Sequence, residues 1–323
     1  MRRLPTLSPR QYERVALLAL VLLFAIVLTG AAVRLTGSGL GCTNWPKCGD
    51  TIYAPLEFNA WVEFGNRLVT GVVGLPCLAA FLLAFRRRPP RRDLKVLSAL
   101  LPIGVLAQAI LGGLTVIFEL KPGFVMAHFL LSMAILAAAV ALYWRARHER
   151  GSRPAEARPV TLATRALLPL GGLAIFAGTF ATAAGPHPGH NEGDEPIGRF
   201  DAFGVDTLDT LIHWHGRTGT LLGLASLTAW WLARRHGASA DLRRALTVLC
   251  LLVAAQGVIG FVQYELQLPA GIVWVHVLVA AAAWIAICFA NAAAPRAVRQ
   301  PSTPEPSIPT SGEAPSRTLV RSG

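Results

Sequence analysis

Long apolar stretches alternate along the chain with short polar connections, and eight of the stretches stand out. They run Val15 to Val33, Leu68 to Phe85, Val96 to Phe118, Phe124 to Trp144, Ala166 to Ala184, Leu211 to Ala233, Ala245 to Tyr264 and Ile272 to Ala293. At a rise of about 1.5 Å per residue, each is long enough to cross a hydrocarbon core of roughly 30 Å. The pattern predicts an all-α integral membrane protein with eight transmembrane helices. The first stretch exceeds the apolar region of a signal peptide and is followed by "VRLTGSG" rather than a small-x-small site, so it reads as a retained helix.

The same pattern carries a weak internal repeat. Gln108 and Gly112 recur as Gln256 and Gly260, and "VMAH" ending at His128 recurs as "VWVH" ending at His276, all at an offset of 148 residues. Two four-helix bundles are expected, residues 1–150 and 151–294, followed by a tail, 295–323, too rich in Pro and Ser to bury a core. Each half has an even number of spans, so the repeat is parallel, about an axis along the membrane normal.

Composition agrees with a membrane chain: 53% of the 323 residues are hydrophobic and 15% are charged, against about 25% charged in soluble domains. A net charge of +12 raises the question of nucleic acid. The distribution answers it, because 24 of the 30 Lys and Arg lie in the N-terminal segment, three alternate connections and the tail. That is a topology signal and not a phosphate-binding face; it predicts both termini on the cytoplasmic side of the cell membrane.

Against this background the polar positions in or beside the apolar stretches become candidates. Glu63, Asn66, Arg67, Thr70 and Gly74 share one helical stripe. His128 and His276 each lie four residues inside the outer end of their apolar stretch, about 6 Å deep, and His213 and His215 lie at a similar level. The spacing from Asn66 to His128 is 62 residues and from His215 to His276 is 61, so each half offers a possible pair. Facing imidazoles suit a bis-histidine haem; a proton relay is the alternative, with few buried carboxylates to extend it. Arg34, Arg67 and Arg217 lie at the same outer edge, where guanidinium groups can pair with haem propionates.

Cys42 and Cys48 share the first outer loop, "LGCTNWPKCGD". A local disulfide is the expectation there, with free thiols or a metal site as the other readings. Cys77, Cys250 and Cys288 lie inside apolar stretches and read as small core residues.

Several of these elements together resemble the haem A synthase family. They are "TGAAVRLTGSGLGCTNWPKC" (Thr29 to Cys48), the glutamate and arginine of helix two, "TAAGPHPG" (Thr182 to Gly189), and the histidines of helices four, six and eight. The resemblance implies an oxidoreductase that converts the C8 methyl of haem O to a formyl group. Two hydroxylations would give a geminal diol that loses water, making haem A for terminal oxidases. It further implies haem b in the C-terminal half on His276 with His215 or His213, and substrate haem O in the N-terminal half on His128 with Glu63 as the catalytic group. Implied partners are a haem O synthase, a terminal oxidase or its assembly factors and an unidentified electron acceptor; membrane lipid follows from the apolar stretches, and a second copy of the chain in a homo-oligomer is a further candidate that the sequence leaves open.

In one position the chain departs from the family pattern. Asn66 stands where members often carry a histidine, and an amide is a poor iron ligand, so the N-terminal porphyrin has His128 on one face and an open or otherwise filled position on the other. Rival readings are a haem b electron carrier and a haem transporter or chaperone without chemistry on the macrocycle.

Overall fold

The structure, a computed structural model, describes residues 6–148, 156–190 and 198–294; the expected tail, 295–323, lies outside them. Eight long helices dominate the described chain: α1 (Pro9–Leu35), α2 (Phe58–Ala84), α3 (Arg92–Ile117), α4 (Pro122–Arg147), α5 (Arg158–Ala184), α6 (Thr207–Arg235), α7 (Ala240–Glu265) and α8 (Ala270–Ala293). No strand occurs among the described residues, only isolated bridges at Leu7 with Arg87 and Cys48 with Thr51.

Seven of the eight helices are long and apolar enough to cross a membrane. The exception is α6, whose first half carries Asp209, His213, His215 and Arg217. Several helices begin well before their apolar stretches. α1 starts at Pro9 behind a capping box, in which the Ser8 hydroxyl accepts from Gln11 N and the Gln11 side chain accepts from Ser8 N. α2 starts at Phe58, not near Leu68, which places Glu63 inside the helix and not at its mouth. Hydropathy marks only the lipid-crossing part of a helix; the backbone stays helical beyond it wherever polar side chains find partners.

α1 packs on α2, α2 on α3, α3 on α4, and α4 back on α1; α5, α6, α7 and α8 close a second circuit in the same way. The circuits meet where α8 lies against α1 and α4, and α5 against α4. Small residues line this centre: Ala16 and Ala19 of α1 and Ala281 and Ala290 of α8 are fully buried. Small side chains let helix backbones approach where lipid offers no hydrophobic drive for association. Large apolar residues such as Leu18, Val21, Ile103, Leu106, Val258 and Leu251 remain exposed on the outside, as a lipid-facing surface requires.

Side chains also tie the helices through carbonyl oxygens. Tyr12 Oη donates to Ala80 O at 3.0 Å, Trp274 Nε1 to Leu28 O at 3.0 Å, Trp284 Nε1 to Met133 O at 2.8 Å and Asn291 Nδ2 to Thr164 O at 3.1 Å. The α3–α4 and α7–α8 connections are alike. Each places two consecutive non-glycine residues in the left-handed region, Glu119 and Leu120 in one and Gln267 and Leu268 in the other. Each closes on the helix before it, through Leu120 N to Thr115 O at 2.8 Å and Leu268 N to Gln263 O at 2.7 Å.

Tyr12 is fully buried, so Tyr12→Phe deletes one interhelical donor with little change of shape. It should cost about 1 kcal/mol, read as a lower thermal midpoint in detergent; an unchanged midpoint would mean the bond is already made good elsewhere.

Candidate functional site

A cavity of about 1430 Å³ opens among the helices, lined from one circuit by Arg34, Trp45, Glu63, Asn66, Arg67 and His128 and from the other by Arg199, His213, His215, Arg217 and His276. It exceeds the 300 to 1,000 Å³ or so of ordinary small-ligand pockets. Most of its wall is aliphatic, so it suits a large apolar ligand with a polar edge.

In the second circuit His215 of α6 faces His276 of α8, ring centroids 5.9 Å apart at an interplanar angle of 63°. With metal–nitrogen bonds of about 2 Å, two imidazoles on one metal ion have centroids roughly 6 Å apart. The pair therefore fits a shared iron. His215 Nδ1 lies 3.0 Å from Ala174 O of α5; a proton held there leaves Nε2 as the ligating atom. Gly178 makes room for this ring, since a Cβ there would lie 2.9 Å from His215 Cε1. His276 sits beside Gly260 in α7, where a Cβ would lie 3.5 Å from its Cε1, and its carbonyl accepts from Gln256 Nε2 at 3.0 Å. Its Nδ1 is buried without a hydrogen-bond partner among the described residues.

His213 takes another direction. Its Nδ1 lies 2.8 Å from Asp209 O and 3.3 Å from the Asp209 carboxylate, and Tyr264 Oη donates to that carboxylate at 3.1 Å. Two residues apart on a helix, His213 and His215 point to different sides.

His128 of α4 repeats the surroundings of His276. Gln108 Nε2 donates to His128 O at 2.9 Å, a Cβ on Gly112 would lie 3.3 Å from His128 Cε1, and His128 Nδ1 is buried without a partner among the described residues. No described histidine stands opposite. Asn66 of α2 lines the cavity instead, its Oδ1 accepting from Thr29 Oγ1 of α1 at 2.8 Å.

Glu63, 6% exposed, joins the first loop to α2. Its Oε2 accepts from Cys42 N at 2.8 Å, and its Oε1 accepts a short hydrogen bond from Arg67 Nη2, one turn along. Arg67 also donates to Asn44 O at 3.2 Å and to Lys47 O at 3.0 Å. Cys42 and Cys48 form the expected disulfide, Cα atoms 4.5 Å apart. The loop sets Trp45 against α3 at Gly113, where any Cβ would collide with the indole. Loop and stripe thus form one unit at the edge of the cavity, with the guanidinium of Arg67 engaged by the loop.

Arg34 reaches across the two circuits. Its Nη2 donates to Thr182 O of α5 at 2.9 Å, and its Nε is buried without a partner among the described residues. Arg199 Nη2 donates to the same carbonyl at 3.2 Å. Burial lowers the pKa of Arg199, a sign that nearby negative charge would be welcome. Sequence reasoning missed Arg199, because it lies in the α5–α6 connection, where no helical period assigns a face.

A model of the cytochrome oxidase assembly protein family matches residues 13–288. Over 129 residues the chain is 36% identical to the heme A synthase of Lysinibacillus sphaericus (strain C3-41), covering 39% of this chain and 42% of that protein. It is 39% identical over 107 residues to the heme A synthase of Geobacillus kaustophilus (strain HTA426), covering 32% and 33%. It is 30% identical over 151 residues to the heme A synthase of Shewanella oneidensis, covering 41% and 45%. The matched stretches thus span less than half the length of these curated relatives. With seven helices able to cross a bilayer, the chain is a multi-pass membrane protein.

Arg67→Met leaves the buried Glu63 carboxylate unpaired and two loop carbonyls without their donor. A loss of about 3 kcal/mol is expected, with faster hydrogen–deuterium exchange confined to the Cys42 to Cys48 loop. Unchanged exchange there would mean that the disulfide alone holds the loop.

Proposed function

We propose, for a chain that belongs to the cytochrome oxidase assembly protein family, that it is a haem A synthase, oxidising the C8 methyl of haem O to a formyl group. The observation that carries this reading is the pairing of one two-histidine site with one single-histidine site on the same cavity, the second bordered by a buried carboxylate. The heme A synthases among its relatives support the same activity. The substrate leaves as haem A for a terminal oxidase, so a haem O synthase upstream, an oxidase or assembly factor downstream and an electron acceptor are the partners the reaction requires.

The two circuits of helices are read as a parallel repeat, with α6 spanning like the rest. Residues 1–150 form the substrate half, residues 151–294 the cofactor half, and both termini face the cytoplasm across the cell membrane. The matched cradles of His128 and His276 and the matched left-handed turns support this, all at the offset of 148 residues. Haem b belongs in the cofactor half, on His215 and His276, where it supplies one-electron transfer.

The chain's own groups do the rest. Ala174 O orients His215, and Gln256 holds the α8 backbone at His276. Arg34 and Arg217, with Arg199, are placed for propionate carboxylates, while Arg67 serves Glu63 and the loop. His213, tied to Asp209, borders the outer mouth of the cofactor half. His128 holds the substrate porphyrin, and the aliphatic walls keep bulk water from it. Glu63, fixed by the Cys42 N–H and by Arg67, in its ionised form would offer a negative charge to positive charge developing at the carbon being oxidised.

His276→Ala should abolish the low-spin haem signal while the protein still inserts, because a two-imidazole site losing one ligand loses affinity and low-spin character together. A retained signal would place haem b elsewhere. The activity is tested by co-expressing the chain with a haem O synthase and analysing extracted haems. Haem O left wholly unchanged by well-folded, haem-loaded protein would favour the electron-carrier or transporter reading. In the same assay Glu63→Gln should lower haem A yield by about a hundredfold or more with low-spin haem retained. Near-normal yield would confine Glu63 to holding the loop.

A further inference from the structure

We infer that Thr29 and Asn66 together replace the second axial histidine of the substrate half and form a polar niche for a small exogenous ligand opposite His128. This rests on the reading of two porphyrin-holding halves and concerns what stands on the open face of one of them.

The register of the two halves makes the comparison residue by residue. At the offset of 148 that relates His128 to His276, Ile26 corresponds to Ala174, Gly30 to Gly178 and Val105 to Val253. α2 and α6 run one residue further apart: a Cβ on Gly74 would lie 3.7 Å from Val105 Cγ1, and one on Gly223 would lie 3.6 Å from Val253 Cγ1. That register puts Asn66 at the place of His215.

Each feature that holds the His215 ring has an altered counterpart. In the second half His215 Nδ1 lies 3.0 Å from Ala174 O. In the first half the matching carbonyl, Ile26 O, has the hydroxyl of Thr29 at 3.2 Å, and that hydroxyl donates to Asn66 Oδ1 at 2.8 Å. Ala177 stands in the second half where Thr29 stands in the first. In the second half a Cβ on Gly178 would press on the imidazole, whereas one on Gly30 would meet nothing within 4 Å. So the first half keeps the hollow for a ring, lacks the ring, and has its anchoring carbonyl approached by a hydroxyl.

The consequence is chemical. An amide does not ligate iron well, and with Oδ1 turned to Thr29 the Asn66 amide N–H groups are left to face the cavity. Such a niche favours a small ligand that accepts a hydrogen bond, of the class of water, cyanide, carbon monoxide or dioxygen, over a protein side chain. One half then keeps its porphyrin between two imidazoles, and the other holds a porphyrin that can exchange.

The full chain loaded with iron protoporphyrin IX in detergent provides the test. After reduction, one low-spin haem that ignores carbon monoxide and one that binds it are expected, the second lost in His128→Ala. The double variant Thr29→Ala with Asn66→His frees Ile26 O and supplies a ring. It should turn the second haem low-spin and cut its carbon monoxide affinity at least tenfold. Asn66→His alone, with Thr29 still beside Ile26 O, should do so only in part, and Asn66→Leu should keep the face open but weaken ferric cyanide binding several-fold. The His215–His276 low-spin signal reports correct folding in every variant. Two low-spin, unreactive haems in the wild-type chain, or a double variant that binds carbon monoxide as before, would overturn this inference and leave the haem sites standing. A wild-type chain that takes up no haem would overturn the functional reading along with it.

Discussion

A side chain on one helix donating to a backbone carbonyl on its neighbour is the interaction on which this architecture turns. Within a bilayer a polar group has no water to fall back on, so it must find its partner inside the protein. Here the partner is repeatedly a carbonyl oxygen: Tyr12 on Ala80, Trp274 on Leu28, Trp284 on Met133, Gln108 on His128 and Gln256 on His276. Helix carbonyls already accept from their own helix and have a second lone pair to offer. Each such bond therefore fixes rotation and depth of a helix without breaking its ladder. Trp274 and Trp284 go further, because both reach from α8 into the first circuit and join the two sets of four helices.

The same device prepares the site. With His215 Nδ1 held by Ala174 O, the imidazole is fixed in orientation and lies across from His276 at a centroid distance of 5.9 Å, a spacing that fits one shared metal. Gln108 and Gln256 brace the helices carrying His128 and His276 at the residues that matter. In the first half, where a hydroxyl stands at the matching carbonyl, no imidazole is present to be aimed. A difference of two residues, Thr29 for Ala177 and Asn66 for His215, thus separates a carbonyl that holds an imidazole from one approached by a hydroxyl.

Glu63 shows how structural and chemical duties coincide. It is buried, it anchors the disulfide loop through Cys42 N, and it is paired with Arg67, which itself holds two loop carbonyls. A backbone N–H and a guanidinium both favour the ionised form of a carboxylate and so work against the burial that disfavours it. The loop is thus part of what holds this carboxylate at the edge of the cavity.

Much of this was legible in one dimension. Apolar length marks helices, seven of them able to cross a membrane, repeated spacing picks out the like surroundings of His128 and His276, and Cys42 and Cys48 lie close enough in sequence to pair locally. These are properties of position along a helix, which the chain carries in its order alone. Direction around a helix is different. His213 and His215 lie at a similar level, and only the packing of α6 on α5 and α7 turns His215 to His276 and leaves His213 with Asp209. Arg67, expected at a propionate, is taken by the carbonyls of Asn44 and Lys47, and Arg199 enters from a connection with no period to read. Depth is local and additive along the chain, whereas facing depends on which neighbour supplies the answering carbonyl, and that is decided only when all the helices are packed.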